Sequence, residues 1–190
     1  MIFHYVGKYN GDENSLPHRE IPEDAVQVKE MENLTIASIL GNIGQTILLL
    51  LMWKWFNSIR IGDTGLLIGI IAALLIFIPH EMLHAVCFQG DVYLYTNLKR
   101  AMCFVIGTED MSFARYLFMG LCPNLVFGIF PFVIYLFFPH LAGVGIFGAL
   151  CICIGFMDYV NIFKAMFQIP KDALVFMSGL RTYWYRKGSS

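Results

Sequence analysis

Two histidines and a glutamate stand close together in the stretch FIPHEMLHAVCF, which covers residues 77–88. His80 and His84 are four positions apart, so on a helix both imidazoles project from one face and can bind a single metal ion. Glu81 lies beside that face, close enough to take a proton from a water bound to the ion. The spacing therefore predicts a hydrolytic metal centre with His80 and His84 as ligands and Glu81 as general base.

The motif follows directly on the apolar run TGLLIGIIAALLI. One alternative is that His80 and His84 are polar side chains satisfied by hydrogen bonds within a helix bundle. Burying three ionisable groups together in lipid is costly, however, and such groups usually serve a function. We therefore expect a metal site, and the combination of two imidazoles with a carboxylate favours zinc, as in zinc peptidases.

A catalytic zinc ion usually has three protein ligands and a fourth position open to water, so a third ligand must be found. The extended metzincin pattern would place Gly at 87 and His at 90, but these positions hold Cys87 and Gly90. Glu109, a second candidate, lies in the polar stretch GTED and not in a helical pattern. Asp158 is the acidic residue inside the last apolar stretch, and we expect it to be the third ligand.

The predicted depth of Asp158 agrees with that of the histidines. His84 lies six residues before Gly90, where the chain is expected to leave the membrane, and Asp158 lies six before Lys164. At about 1.5 Å per residue, both lie about 9 Å from the cytoplasmic boundary. The alternative for Asp158 is a hydrogen bond to Asn161 or a position facing a wet cavity.

The composition of the whole chain favours a lipid bilayer as its surroundings. Of 190 residues, 57% are hydrophobic and 14% are charged, which is more apolar surface than a soluble domain of this size hides. With a net charge of −1, the chain lacks the excess positive charge that favours binding to nucleic acid, so we expect no nucleic-acid partner. The five cysteines are odd in number and lie in or beside apolar runs, which argues against a disulfide framework.

Four apolar stretches predict four transmembrane helices, at about 34–56, 64–89, 113–138 and 141–168. Each is long enough, with some tilt, to cross about 30 Å of hydrocarbon. At about 91–106, β-forming runs flank the turn-like NLKR, which predicts a short β-hairpin. The expected fold is an all-α membrane protein with this hairpin on the cytoplasmic side, between the second and third helices.

The polar and basic residues predict the organisation around these helices. We expect a polar cytoplasmic segment at 1–33, the four-helix domain at 34–168, and a tail at 169–190 that mixes aromatic and basic residues like an interfacial strip. If the N-terminus is cytoplasmic, only Lys54 and Arg60 among the Lys and Arg residues fall on the far side. The positive-inside rule then places both termini of a multi-pass protein in the cytoplasm.

Prolines interrupt two of the predicted helices near the candidate site. Pro79 removes a backbone hydrogen bond and kinks its helix, which either opens a water-accessible pocket at the metal or is a tolerated packing kink. In the third helix, Pro123 precedes Asn124, whose amide is a candidate donor to an oxyanion or to substrate. The alternative role for Asn124 is a hydrogen bond between helices.

HExxH on a membrane helix, with an intramembrane Asp about seventy residues later, resembles the site-2 protease class of intramembrane zinc metalloproteases. The polar start with IPEDAVQV, and FIPHEMLHA placed ahead of a hairpin, are more closely similar to a compact bacterial membrane family of zincin peptidases. The resemblance implies that His80, His84 and Asp158 bind zinc, that Glu81 is the general base, and that the chain lies in the plasma (inner) membrane.

The match to site-2 proteases has departures. Tyr159 follows the candidate Asp158 where these proteases usually place Gly, and their central Gly-Pro with a spaced Asn is reduced to Cys122, Pro123 and Asn124. These departures bear on the third ligand and the oxyanion contact more than on HExxH itself. The resemblance to the compact family does not imply a particular substrate.

The sequence as a whole predicts an intramembrane zinc metallopeptidase that hydrolyses peptide bonds in membrane or membrane-proximal polypeptides. An extended substrate would pair with the edge strand of the hairpin, because peptide bonds inside a helix are hidden from attack. The first alternative is a non-catalytic metal-binding regulator, a pseudoprotease. A metal transporter or sensor is the second, and it would be expected to show repeated halves, which are not evident. The substrate, gating partners and oligomeric state cannot be derived from the sequence.

Overall fold

The computed structural model describes residues 1–29, 34–57, 63–97 and 102–188. The chain divides into two compact units. The first, which we call the mixed unit, comprises residues 1–30, 78–120 and 161–190 and holds the β-strands. The second, which we call the helical unit, comprises residues 31–77 and 121–160.

Helices and strands alternate along the chain in blocks. The helices are α1 Leu34–Asn57, α2 Asp63–Leu75, α3 Phe77–Ala85, α4 Phe113–Pro123, α5 Phe130–Phe137, α6 Ala142–Ile154 and α7 Phe156–Gln168. The strands are β1 Ile2–Lys8, β2 Val26–Gln27, β3 Asp91–Asn97, β4 Met102–Ile106, β5 Met111–Ser112, β6 Ala173–Ser178 and β7 Arg181–Arg186. A π-helical stretch, Asn124–Ile129, joins α4 to α5.

The prediction of an all-α fold is wrong, because both ends of the chain form β-structure. Strands β1 and β2 lie in the segment predicted to be a polar extension, and β6 and β7 lie in the predicted interfacial tail. In the tail, ALVFMS of β6 places Val175 and Phe176 in the core. Its aromatic and apolar residues are therefore explained by packing within a sheet.

The first sheet has the strand order β1-β3-β4. Strands β3 and β4 are antiparallel, from Tyr93 opposite Ile106 to Asn97 opposite Met102. The predicted hairpin pairing is present, and its connecting residues 98–101 lie outside the described ranges. Strand β1 adds to the other side of β3 in parallel, so the hairpin is part of a larger sheet.

The second sheet has the order β2-β7-β6-β5, and its neighbouring strands are antiparallel. Gly179 begins the two-residue turn between β6 and β7 with φ of 60°, a conformation that glycine adopts without strain. Val175 of β6 packs with Phe113 of α4 and with Ala165 and Ile169 at the end of α7. The sheet therefore anchors the first turn of α4.

The prediction of four transmembrane helices is also wrong. The run Phe113–Phe137, 25 residues long, is long and apolar enough to cross a membrane. The predicted second and fourth spans are each broken into two helices, α2 with α3 and α6 with α7. If each pair forms one broken span, the described residues hold up to three candidate spans. In α1, which has 24 residues, the part whose side chains the structure describes, Ile39–Trp53, is an apolar helix shorter than a span.

Pro79 explains the break between α2 and α3. A proline has no N–H to donate to the carbonyl four residues earlier, and its ring clashes with that carbonyl. That residue is Leu75, where α2 ends. HExxH therefore lies on a short helix of its own that starts at Phe77. Whether the break also admits water stays a prediction.

The helical unit is held together by a close approach of backbones. A Cβ on Gly148 of α6 would lie 2.6 Å from the backbone N of Phe132 and 2.7 Å from the carbonyl O of Gly128. Backbone atoms in regular helices cannot move aside as a flexible side chain does. Small residues at such crossings are typical of helices that pack in a membrane.

We predict that Gly148→Ala lowers the thermal unfolding midpoint. Overpacking costs about 1–3 kcal/mol, which exceeds the gain in helix propensity of about 1 kcal/mol. Gly143→Ala in the same helix is the matched control, because its Cβ would lie 3.3 Å from the nearest atom, the carbonyl O of Gly65. Melting of the detergent-solubilised protein followed by circular dichroism measures both. Equal midpoints for the two variants would contradict the close approach at Gly148.

Candidate metal centre

Helix α3 brings together the three residues of the motif. His80 and His84 are buried, and Glu81 is half-buried. One potential ligand atom from each residue lies within 4.8 Å of the others, and the two imidazole rings meet edge to face with their centroids 5.0 Å apart. Across the described ranges, this is the group of His, Cys, Asp and Glu side chains that is close enough to share an ion. The cluster therefore has the proximity that metal binding requires.

A hydrogen bond fixes the orientation of His84. Its Nδ1 lies 2.8 Å from the backbone carbonyl O of Met119, in a buried position. A carbonyl only accepts, so Nδ1 carries a proton and donates it. Nε2 of the neutral ring then keeps its lone pair for a metal ion, as in the histidines of zinc sites, whose second nitrogen bonds a carbonyl or carboxylate. The side chains present therefore fit a zinc ion.

A network of charged groups holds the end of α3. The Glu109 carboxylate accepts the backbone N–H groups of Gln89, at 2.9 Å, and Gly90, and it also pairs with Arg115. Arg115 Nε donates to the Cys87 carbonyl O at 2.9 Å. A positive charge is favourable at a helix C-terminus. Because α3 has only nine residues, this network is well placed to keep its last turn from fraying.

This network was not predicted from the sequence. Glu109 was a candidate only for a third metal ligand, whereas both of its carboxylate oxygens bind around the end of α3. Nothing in the local pattern pairs Glu109 with Arg115, six residues later, or with the residues that follow the motif. The contacts depend on the fold bringing the start of α4 against the end of α3.

A residue of strand β4 lies within electrostatic range of Glu81. Burial, together with the negative charge of Glu81, raises the pKa of the Cys103 thiol to about 11. Cys103 is the second residue of β4, opposite Thr96 of β3. In the described strands, β4 is at the end of its sheet. The edge strand of the hairpin is therefore near enough to Glu81 to respond to its charge.

Asp158 and Asn124 lie in the helical unit, whereas the histidines lie in the mixed unit. The Asn124 side chain is buried, and its Nδ2 donates to Asp158 Oδ2 at 2.9 Å. Gly155 leaves the space that the Asn124 amide fills, since a Cβ there would overlap Asn124 Oδ1. The structure thus pairs two residues that were predicted separately. Zinc ligation by Asp158 and an oxyanion contact by Asn124 stay predictions.

Residues 73–174 match the model of a protein family described as "Putative zincin peptidase". The matched segment covers more than half of the chain and includes the motif, the hairpin and Asp158. The chain belongs to this family. The predicted zincin likeness is therefore confirmed at the level of the family, which supports a zinc-dependent metallopeptidase. No curated protein and no solved structure matches the chain.

We predict that Glu81→Gln makes Cys103 react faster with iodoacetamide in the metal-free protein. Removing the carboxylate charge lowers the pKa of the thiol, so at pH 8–10 a larger fraction is thiolate, the reactive form. Alkylation quantified peptide by peptide by mass spectrometry separates Cys103 from the other cysteines. Asp91→Asn, on neighbouring β3, is the control and should leave the rate unchanged. An unchanged rate in Glu81→Gln would place β4 too far from Glu81 to sense its charge.

Proposed function

We propose that the chain is a membrane-embedded zinc metallopeptidase that hydrolyses peptide bonds in membrane or membrane-proximal polypeptides. The observation that carries this proposal is the cluster of His80, Glu81 and His84, with ligand atoms within 4.8 Å of one another. Membership of a zincin family supports the reaction class. The likeness to site-2 proteases, which suggested an intramembrane reaction, is part of the proposal.

The three residues of α3 divide the chemistry among them. When bound, zinc supplies Lewis acidity that polarises a peptide carbonyl and makes water more acidic. His84 would hold the ion through Nε2, because Nδ1 is engaged with Met119, and His80, one helical turn earlier, would be the second ligand. Glu81 takes the proton from the attacking water and delivers it to the leaving amine as the C–N bond breaks.

Asp158 is proposed as the third ligand. Its carboxylate lies on the first turn of α7, directly after the break at Gly155, and accepts the Asn124 amide. Ligating carboxylates are commonly oriented by such hydrogen bonds. The hydrogen bond from Asn124 thereby orients the Asp158 carboxylate. A contact of Asn124 with an oxyanion or substrate remains part of the proposal.

The helix surfaces support a membrane setting. On α3 and the residue that follows it, Ile78, Met82 and Val86 repeat every four residues, and each is about half exposed. On α7, Phe163 and Phe167 are 64% and 74% exposed. Large apolar side chains on one helical face match an apolar solvent better than water. We propose a multi-pass plasma (inner) membrane protein, with the termini in the cytoplasm because both terminal segments carry Lys and Arg.

The substrate is proposed to bind as an extended strand on the edge of β4. This strand ends its sheet in the described part of the chain and lies near enough to Glu81 for the charge of Glu81 to act on Cys103. Main-chain pairing with an edge strand holds a peptide extended and leaves its carbonyls accessible. A helical substrate segment would first have to unwind.

A metal-binding regulator without hydrolytic activity is the second candidate, because the same cluster would hold zinc without turnover.

We predict that the unmodified protein and Glu81→Gln bind equal amounts of zinc, but that only the unmodified protein cleaves a membrane-peptide library. Loss of a general base lowers a rate by roughly 10²–10⁴-fold and leaves the ligands in place. Elemental analysis and mass spectrometry of products measure the two quantities.

His84→Ala is the matched ligand control and should lower the zinc content. Equal cleavage by the unmodified protein and Glu81→Gln would exclude Glu81 as the base. Zinc binding with no cleavage by either protein would favour the regulator.

For the third ligand, we predict that Asp158→Ala weakens zinc binding most and that Asn124→Ala weakens it by roughly 10–100-fold, the usual effect of losing a hydrogen bond to a ligand. Competition with a chromogenic chelator gives the dissociation constants. Asn161→Ala, an exposed position on the same helix, is the control and should bind zinc normally. Full zinc affinity in Asp158→Ala would reject this ligand.

A further inference from the structure

We propose that Pro123 is a positioning residue for the metal centre, because it withholds an N–H from its own helix and so reserves the Met119 carbonyl for His84. The inference rests on the proposed function, in which His84 binds zinc. It concerns a residue outside the motif that does not touch the ion.

In α4, the Met119 carbonyl lacks its regular hydrogen-bond donor. In an α-helix each carbonyl accepts the N–H of the residue four positions later. For Met119 that residue is Pro123, which lies inside the helix and has no N–H. The Met119 side chain is 9% exposed, so its surroundings offer little water. Within a regular helix, the Met119 carbonyl therefore has no N–H donor and must accept a hydrogen bond from another group.

His84 supplies the donor that the Met119 carbonyl lacks. Its Nδ1 lies 2.8 Å from the Met119 carbonyl O. A further contact fixes the approach, since the carbonyl of Cys87, two residues beyond the end of α3, accepts a hydrogen bond from Arg115, four residues before Met119. Cys87 follows His84 along the chain, whereas its partner Arg115 precedes Met119. The start of α4 therefore runs antiparallel to the end of α3. Ala85 packs in the same buried cluster as Met119.

Restoring the missing N–H at position 123 would disturb this contact. A residue other than proline at 123 would donate to Met119 within α4 and compete with His84 for the carbonyl. The His84 ring would then be held less firmly, and its Nδ1–H tautomer would be less favoured. Since zinc needs the Nε2 lone pair, its affinity would fall. A proline in a helix interior is otherwise destabilising, so replacing it should not weaken the helix.

These opposite effects define the experiment. We expect Pro123→Ala to retain or raise the unfolding midpoint of the metal-free protein while weakening zinc binding about tenfold. The dissociation constant is measured by chelator competition on the detergent-solubilised full chain. Pro131→Ala is the matched control, because Pro131 lies in the same helical run, at the start of α5. It should leave zinc affinity unchanged.

A second measurement reads the histidine directly. In ¹⁵N-labelled metal-free protein, the ring shifts of His84 should show the Nδ1–H tautomer, and Pro123→Ala should show a mixture of tautomers. Pro123→Val, which restores the N–H with a side chain of similar size, serves if the alanine variant does not fold. Unchanged zinc affinity together with an unchanged tautomer would overturn the inference.

The two measurements separate this inference from the proposed function. If the unmodified protein binds no zinc, the proposed function fails, while the tautomer shift still tests the role of Pro123. If the protein binds zinc and cleaves peptides but neither measurement changes in Pro123→Ala, the positioning role alone is rejected.

Discussion

The hydrogen bond from His84 to the Met119 carbonyl is the contact on which the candidate metal centre depends. HExxH sits on a helix of nine residues, and His84 lies in its last turn, where a short helix has few hydrogen bonds of its own. Met119 fixes the ring, and Arg115 with Glu109 fixes the backbone beyond it. Without these three contacts, the i, i+4 spacing would give proximity but not a defined tautomer.

The β-structure gives the site its fixed frame. Strand β3 begins six residues after α3 ends, and β5 leads directly into α4. Each sheet includes strands from a terminal segment, β1 in the first sheet and β2, β6 and β7 in the second. The ends of the chain therefore hold in place the two elements that carry His84 and its acceptor. A bundle of apolar helices alone would give α3 no such anchor.

Patterns of neighbouring residues predicted the features that depend only on neighbouring residues. The proximity of His80, Glu81 and His84 follows from one helical turn, and the pairing of β3 with β4 follows from β-forming runs around a turn. The parallel partner β1 and the network of Glu109 depend on residues distant in sequence, which a single sequence does not pair. The high apolar content also favoured long helices over the short strands of the tail. Pro79 marked a kink, but its place in a broken helix pair appeared only in the structure.

Breaks in the apolar helices coincide with the polar chemistry, and the cost of unpaired backbone explains why. In an apolar environment a carbonyl without a donor is expensive, so a helix break persists only where another group satisfies it. At Pro123 that group is the imidazole of His84. At the break between α6 and α7, the backbone N–H of Asp158 donates to the Gly155 carbonyl O at 3.0 Å, and Gly155 leaves space for the amide that holds the Asp158 carboxylate. The irregular points of the helices thus provide the partners of the side chains proposed to bind zinc.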